Sequence, residues 1–129
     1  MPPDARGESG SAVLEFALLL PVLLLLLLAV LQVGVLASDR LLLAQAARAG
    51  AREAAIQESD EAVREAATSA GVGLDPERLR LEVTRTGQRG SPVTVSLSYD
   101  VAIVGVLAGW LLPATVTIST AATARQEFG

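Results

Sequence analysis

Phe16-Ala-Leu-Leu-Leu-Pro21-Val-Leu-Leu-Leu-Leu-Leu-Leu28-Ala-Val-Leu31 is the stretch that decides the fold, and after Gln32 it resumes as Val33-Gly-Val-Leu-Ala37. A bilayer core about 30 Å thick requires about 20 apolar residues in a helix that crosses it. Inside lipid, a single segment satisfies its own backbone hydrogen bonds only as a helix. The sequence therefore predicts a membrane-spanning helix over 16–37.

Glu15 stands at the leading edge of this apolar span. A carboxylate in an apolar transmembrane segment costs a few kcal/mol, so it is a candidate for a functional contact. The alternative interpretation is a polar residue that is tolerated near the headgroups because a helix end is partly wet.

Composition restricts the classes of function. The chain has 129 residues, which is enough for one membrane helix and one small domain. It contains neither cysteine nor histidine, so disulfides, thiolate metal sites and the commonest general base are excluded. The net charge is −4 and no basic patch with interleaved aromatic residues occurs, which argues against nucleic-acid binding. We expect no enzymatic activity, no cofactor and no small-molecule substrate.

Beyond the apolar span, the residues favour helix as far as about Gln57. Alanine and leucine dominate, without proline, and one face carries only small or apolar residues, which lets another backbone approach closely. A second helix is predicted over 61–70, capped by Ser59 or Asp60 and ended by Gly71 in the C′ position.

After this second helix the hydrophobic period changes to two, which indicates strands. The alternation predicts strands at about 79–86, 93–101 and 114–122, followed by a polar tail over 125–129. The expected fold class is α+β: a long N-terminal helix packed on a three-stranded antiparallel meander, with the short helix alongside. The predicted core consists of Leu43, Ala47, Leu81, Val83, Val95, Leu97, Tyr99, Val116 and Ile118.

The connection between the second and third strands, 102–113, is apolar but too short to span a bilayer as a helix. One interpretation is a buried connection packed under the sheet. The other is a surface that contacts lipid or a neighbouring subunit, with Trp110 as an interfacial anchor. The candidate residues of such a surface are Val106, Leu107, Trp110, Leu111 and Leu112.

The segment Gly10-Ser11-Ala-Val-Leu-Glu15-Phe16 resembles the processing site of prepilins of the Tad (tight adherence, Flp) branch. Four further segments are similar to TadE-like pseudopilins: the poly-leucine after it, the segment 45–52, the turn at 73–76 and the segment 112–119. The resemblance covers about residues 6–125. It implies that a prepilin peptidase removes a leader, 1–10, by cutting after Gly10, so that Ser11 becomes the first residue. It also implies that Glu15 and Phe16 form an assembly contact, in which Glu15 pairs with the freed amine of a neighbouring subunit.

The same resemblance implies a domain organisation and a set of partners. A transmembrane helix, 11–37, would carry an extracytoplasmic domain, 38–129, in the cytoplasmic membrane, with the N-terminus inside and the domain outside. The protein would be a minor pseudopilin that contacts the prepilin peptidase, other pseudopilins, the major pilin, the inner-membrane assembly platform and lipid. Whether it also enters the pilus stays open.

Two other classes of function remain. A secreted or envelope protein would be cut by signal peptidase after Ala37, because Val35-Leu-Ala37 before Ser38 imitates such a site. A membrane-anchored enzyme or binding domain would not be cut at all.

Overall fold

The computed structural model describes residues 5–105 and 107–128. These residues form two helices and one sheet, so the predicted α+β class is confirmed. The elements in chain order are α1 (Ala5–Ile56), α2 (Asp60–Ala70), a short 3-10 turn (Pro76–Arg78), β1 (Leu79–Arg85), β2 (Pro92–Ala102) and β3 (Thr115–Arg125).

Helix α1 is the axis of the molecule. Its 52 residues extend over about 78 Å at 1.5 Å per residue. It begins at Ala5 and not at Ser11, so the bond between Gly10 and Ser11 lies inside the helix. Its first part stands free of the rest of the fold, whereas its last part packs against α2 and the sheet. One continuous helix thus joins the apolar span to the domain.

The sheet is an antiparallel meander in the order β1-β2-β3. In its register, Val95 of β2 faces Val83 of β1, and Tyr99 of β2 faces Ile118 of β3. Alternate residues of β2 are buried on one side, and the polar residues between them line the other. This is the pattern of a sheet that is covered on one face only.

The end of the chain differs from the predicted polar tail. Strand β3 continues to Arg125 because β2 is long enough to pair with it as far as Pro92. Gln126 is buried, and its backbone N–H donates to Ser91 O at 2.8 Å. The N–H of Glu127 then donates to Ala55 O at 2.7 Å, which ties the last residues to the end of α1.

The core lies between the outer part of α1, helix α2 and the inner face of the sheet. The small face of α1 predicted from the sequence is confirmed, since alanines at helical spacing are buried there against α2 and β2. Of the predicted core, the following are buried: Leu43, Ala47, Val95, Leu97, Tyr99 and Ile118. The other three, Leu81, Val83 and Val116, are partly buried and pack against this core.

The predicted N-terminal cap of α2 is confirmed, whereas the predicted conformation at its C-terminal end is corrected. Ser59 caps the N-terminus, because its hydroxyl accepts a hydrogen bond from Ala62 N at 3.4 Å. Gly71 does end the helix, but with φ −89° it is not in the left-handed conformation of a C′ glycine. Its role is close approach: a Cβ there would lie 3.2 Å from Ala46 Cβ on α1.

Gly50 allows close packing between α1, α2 and β2, and a larger side chain there is expected to destabilise the domain. A Cβ at this position would already lie 3.3 Å from Val95 Cγ1 and 3.4 Å from Ala67 Cβ, both in fully buried residues. We expect Gly50→Leu to lower the free energy of unfolding by about 3 kcal/mol through overpacking. Urea denaturation in detergent, followed by circular dichroism of the sheet, measures this change.

Gly34→Leu is the matched control, because it lies in the same helix and nothing lies within 4 Å of its Cβ position. Its unfolding midpoint should equal that of the unmodified protein. Equal midpoints for both variants would contradict the packing assigned to Gly50.

Candidate functional site

The first candidate site is the N-terminal part of α1, where the sequence predicts processing and assembly. Gly10, Ser11, Glu15 and Phe16 are all exposed on this helix. Phe16 keeps 63% of its surface. The structure therefore places these four residues on one accessible stretch of helix, without contact to the folded domain.

The carboxylate of Glu15 has no ion-pair partner within the part of the chain that the structure describes. It stands beside a helical surface that is apolar over about 30 Å. An unpaired charge at the edge of such a surface requires compensation from outside the chain, or from water at the helix end.

Gly10 is not required by the packing of the fold. Nothing lies within 4 Å of the position of a Cβ at Gly10. In a helix, glycine is about 1 kcal/mol less favourable than alanine. Glycine therefore weakens the helix at this bond, and a protease that binds an extended backbone would find the segment easier to unwind.

The apolar part of α1 is long and apolar enough to cross a membrane, and no part of its most apolar window is buried inside the protein. Its leucines are exposed to a similar degree, for example Leu18 at 67% and Leu27 at 55%. A surface of this size is not stable in water, and the hydrocarbon core of a bilayer is the solvent that matches it.

The second candidate site is the junction between the apolar helix and the sheet, and Gln32 organises it. Gln32 is buried, with 4% of its surface exposed. Its Nε2 donates to Ala102 O at 3.3 Å, and its Oε1 accepts from Val104 N at 3.1 Å. The side chain thus fastens the start of the β2–β3 connection to α1. This role of Gln32 was not predicted from the sequence, although a single amide in an uncharged apolar span is itself a signal.

The β2–β3 connection, residues 103–114, is here called the apolar loop. It is partly buried and partly exposed, so both interpretations from the sequence apply to different residues. Leu107 was predicted to line a lipid or subunit surface, but it is 3% exposed and belongs to the inside of the loop. Trp110, Leu111 and Leu112, three other candidates for that surface, are exposed, at 78%, 62% and 45%. Val106 lies outside the described residues.

Both candidate sites involve α1, but they lie at different levels along it. Gln32 lies 17 positions after Glu15, which is about 26 Å along α1. Glu15 and Gln32 therefore lie at two positions along a single apolar surface of α1. The geometry defines a class of protein in which one N-terminal helix, apolar enough to span a membrane, continues into the core of a small α+β domain.

Comparison with known proteins agrees with this class. The sequence model of the family described as TadE-like protein matches residues 10–52. The match runs from Gly10 through the apolar span to Arg52, and the resemblance to TadE-like proteins is confirmed for this segment. Helix α2 and the sheet lie beyond it. No curated protein and no solved structure matches the chain.

Gln32→Leu is expected to loosen the apolar loop. Leucine fills a similar volume but leaves the N–H of Val104 and the C=O of Ala102 without this partner. A fully buried polar group would lose about 1–3 kcal/mol, and these part-buried groups lose up to that amount. Hydrogen exchange at the Val104 amide, measured on the protein in detergent, should accelerate about tenfold or more.

Exchange at the amides of Val95 and Leu97, in the middle of β2, serves as the internal control and should stay slow. Unchanged protection at Val104 would show that Gln32 does not hold the loop.

Proposed function

We propose that this protein is a structural subunit of a Tad-type (Flp) pilus assembly system, a minor pseudopilin anchored by α1. In this proposal, a prepilin peptidase cuts after Gly10, and the mature chain starts at Ser11 with its domain outside the cytoplasmic membrane. Its partners are other pseudopilins, the major pilin and the membrane assembly platform. Its role is mechanical and not enzymatic.

The observation that supports the proposal is Glu15, which forms no ion pair with any described residue and stands at the head of an exposed apolar helix, within the segment 10–52 that matches the TadE-like family model. A new α-amine at Ser11 would be largely positive near neutral pH. Glu15 would then lie about one helical turn along α1 from this amine. A neighbouring helix displaced by one turn would place its amine beside the carboxylate, and both charges would be compensated in a medium that penalises each alone.

The junction at Gln32 favours an anchor that is kept over a signal peptide that is removed. Cleavage after Ala37 would take away Gln32 and Leu36. Gln32 makes two hydrogen bonds to the loop, and Leu36 packs against the hydrophobic core. A segment that is discarded after export has no reason to supply contacts to the finished domain.

The mass of the mature protein tests the proposal directly. Intact mass spectrometry of the membrane-extracted chain should show loss of residues 1–10. Loss of residues 1–37 would establish a secreted protein, and an uncut chain would establish a simple membrane-anchored domain. Mass spectrometry of purified pili then determines whether the subunit enters the fibre.

A further inference from the structure

The apolar loop begins beside the apolar span of α1 and not above it. Strand β2 runs along α1 toward the N-terminus, and its last residue, Ala102, is bonded to Gln32 within the apolar span. If Glu15 marks one border of a core about 30 Å thick, Gln32 lies about 4 Å inside the opposite border. The loop continues from this point, beyond the end of the sheet.

Half-buried residues on α1 show how far the loop reaches. Leu25, Leu28 and Ala29 are half-buried, whereas the neighbouring leucines of the span keep half or more of their surface. They continue, at helical spacing, the buried face that contains Gln32. Since the sheet ends at the level of Gln32, the apolar loop is the segment that is placed to cover them.

The surface around this level contains no charge. The apolar loop has no charged residue, and neither has α1 between Glu15 and Asp39. The nearest charge on β2 is Asp100, which is held on the outer face of the sheet by Arg80 at 2.8 Å and by Thr117 at 2.6 Å. Asp39 and Asp100 thus lie on the domain side of a continuous apolar band.

The backbone of the apolar loop is adapted to a medium with little water. Most of its N–H groups donate within the protein: Ile103 to Ala114 O at 3.0 Å, Leu107 to Val104 O at 2.9 Å, and Gly109 to Leu112 O at 2.8 Å. Val104 donates to Gln32, and Pro113 has no N–H to satisfy. Irregular backbone at membrane depth requires such internal partners.

We propose that the apolar loop is a second membrane contact, which inserts Trp110, Leu111 and Leu112 into the lipid of the leaflet on the domain side. The exposed indole is suited to the interfacial region, where tryptophan places an apolar ring beside a polar N–H. Together with α1, this contact would hold the domain against the bilayer in one orientation. Of the proposed function, the inference requires only that α1 spans the membrane.

Trp110 is the only tryptophan in the chain, so the unmodified protein carries its own probe. The full chain is reconstituted in phosphatidylcholine vesicles with or without bromine on the acyl chains. We expect brominated lipid to quench most of the Trp110 emission, acrylamide in the water to quench little of it, and the emission to lie at shorter wavelength than that of an exposed tryptophan.

Two variants in a Trp110→Phe background calibrate the measurement. Gln88→Trp lies in the exposed hairpin between β1 and β2, far from the membrane end, and should respond to acrylamide only. Leu24→Trp lies near the middle of the apolar span and should be quenched most by bromine deep in the acyl chains. Bromine near the headgroups should quench Trp110 at least as strongly as bromine deep in the acyl chains does.

Several outcomes would overturn the inference. Quenching of Trp110 by acrylamide and not by brominated lipid would place the loop in water. A third outcome is that neither quencher reduces the Trp110 emission, but the emission changes when the protein is diluted with lipid. This would show that the surface contacts a second copy of the chain. If Leu24→Trp also escaped the lipid quencher, α1 itself would not span the bilayer. Processing at Gly10 is read separately by mass, so failure of the loop contact is distinguishable from failure of the proposed function.

Discussion

Glu15→Gln is expected to leave membrane insertion and leader removal intact and to abolish assembly. Glutamine keeps the size and part of the hydrogen bonding of the carboxylate but removes the charge that would pair with a neighbour's amine. Loss of one partner of a desolvated ion pair costs about 3 kcal/mol or more, which is about a hundredfold in an association constant. A surface ion pair would account for at most about 1 kcal/mol.

Both outcomes are measured in one strain, with an immunoblot for processing and co-purification with pilus subunits for assembly. Glu8→Gln is the matched control: it removes the same charge from the same helix, but in the leader that processing would discard. It should assemble normally. Glu15→Asp keeps the charge on a shorter side chain and should assemble better than Glu15→Gln. Normal pili in the Glu15→Gln strain would contradict the pairing of Glu15 with an amine, and Glu15 would then be a polar residue that is tolerated at a wet helix end.

Gly10→Leu is expected to block processing, so that the full-length chain accumulates in the membrane. The structure makes this variant informative because the fold does not need the glycine: nothing lies within 4 Å of a Cβ at this position. Leucine would add helix propensity of about 1 kcal/mol and a bulky side chain, and both oppose entry of an extended backbone into a protease. Intact mass spectrometry of the membrane fraction measures the product.

Gly34→Leu places the same side chain in the same helix with equally open surroundings, and it should be cut normally. Its processing shows that added bulk in α1 does not prevent export in general. If Gly10→Leu matured at the same bond as the unmodified chain, recognition of Gly10 by a prepilin peptidase would be refuted.

Local patterns in the sequence were sufficient to predict the main elements. The apolar span, the alanine-rich helix after it and the two-residue period after Leu79 each carry a signal within a short window, since burial on one face repeats every 3.6 or every two residues. The α+β meander and most of its core follow from these windows. Gly10 and Glu15 were proposed as site residues from another local feature, the resemblance of the segment 10–16 to prepilin processing sites.

Only the tertiary structure decided how the apolar span and the domain meet. Gln32 stands as one amide in a run of aliphatic residues, and its partners, Ala102 and Val104, lie 70 and 72 residues further along the chain. No local period reports a contact over that separation. The same limit applies to Leu107, which lies in an apolar segment that could contact lipid but is itself buried. The sequence by itself determined which helices and strands form and which segments are charged or apolar. The path of β2 down α1 determined the level at which the apolar loop lies, because long-range hydrogen bonds, and not local propensity, set the register between helix and sheet.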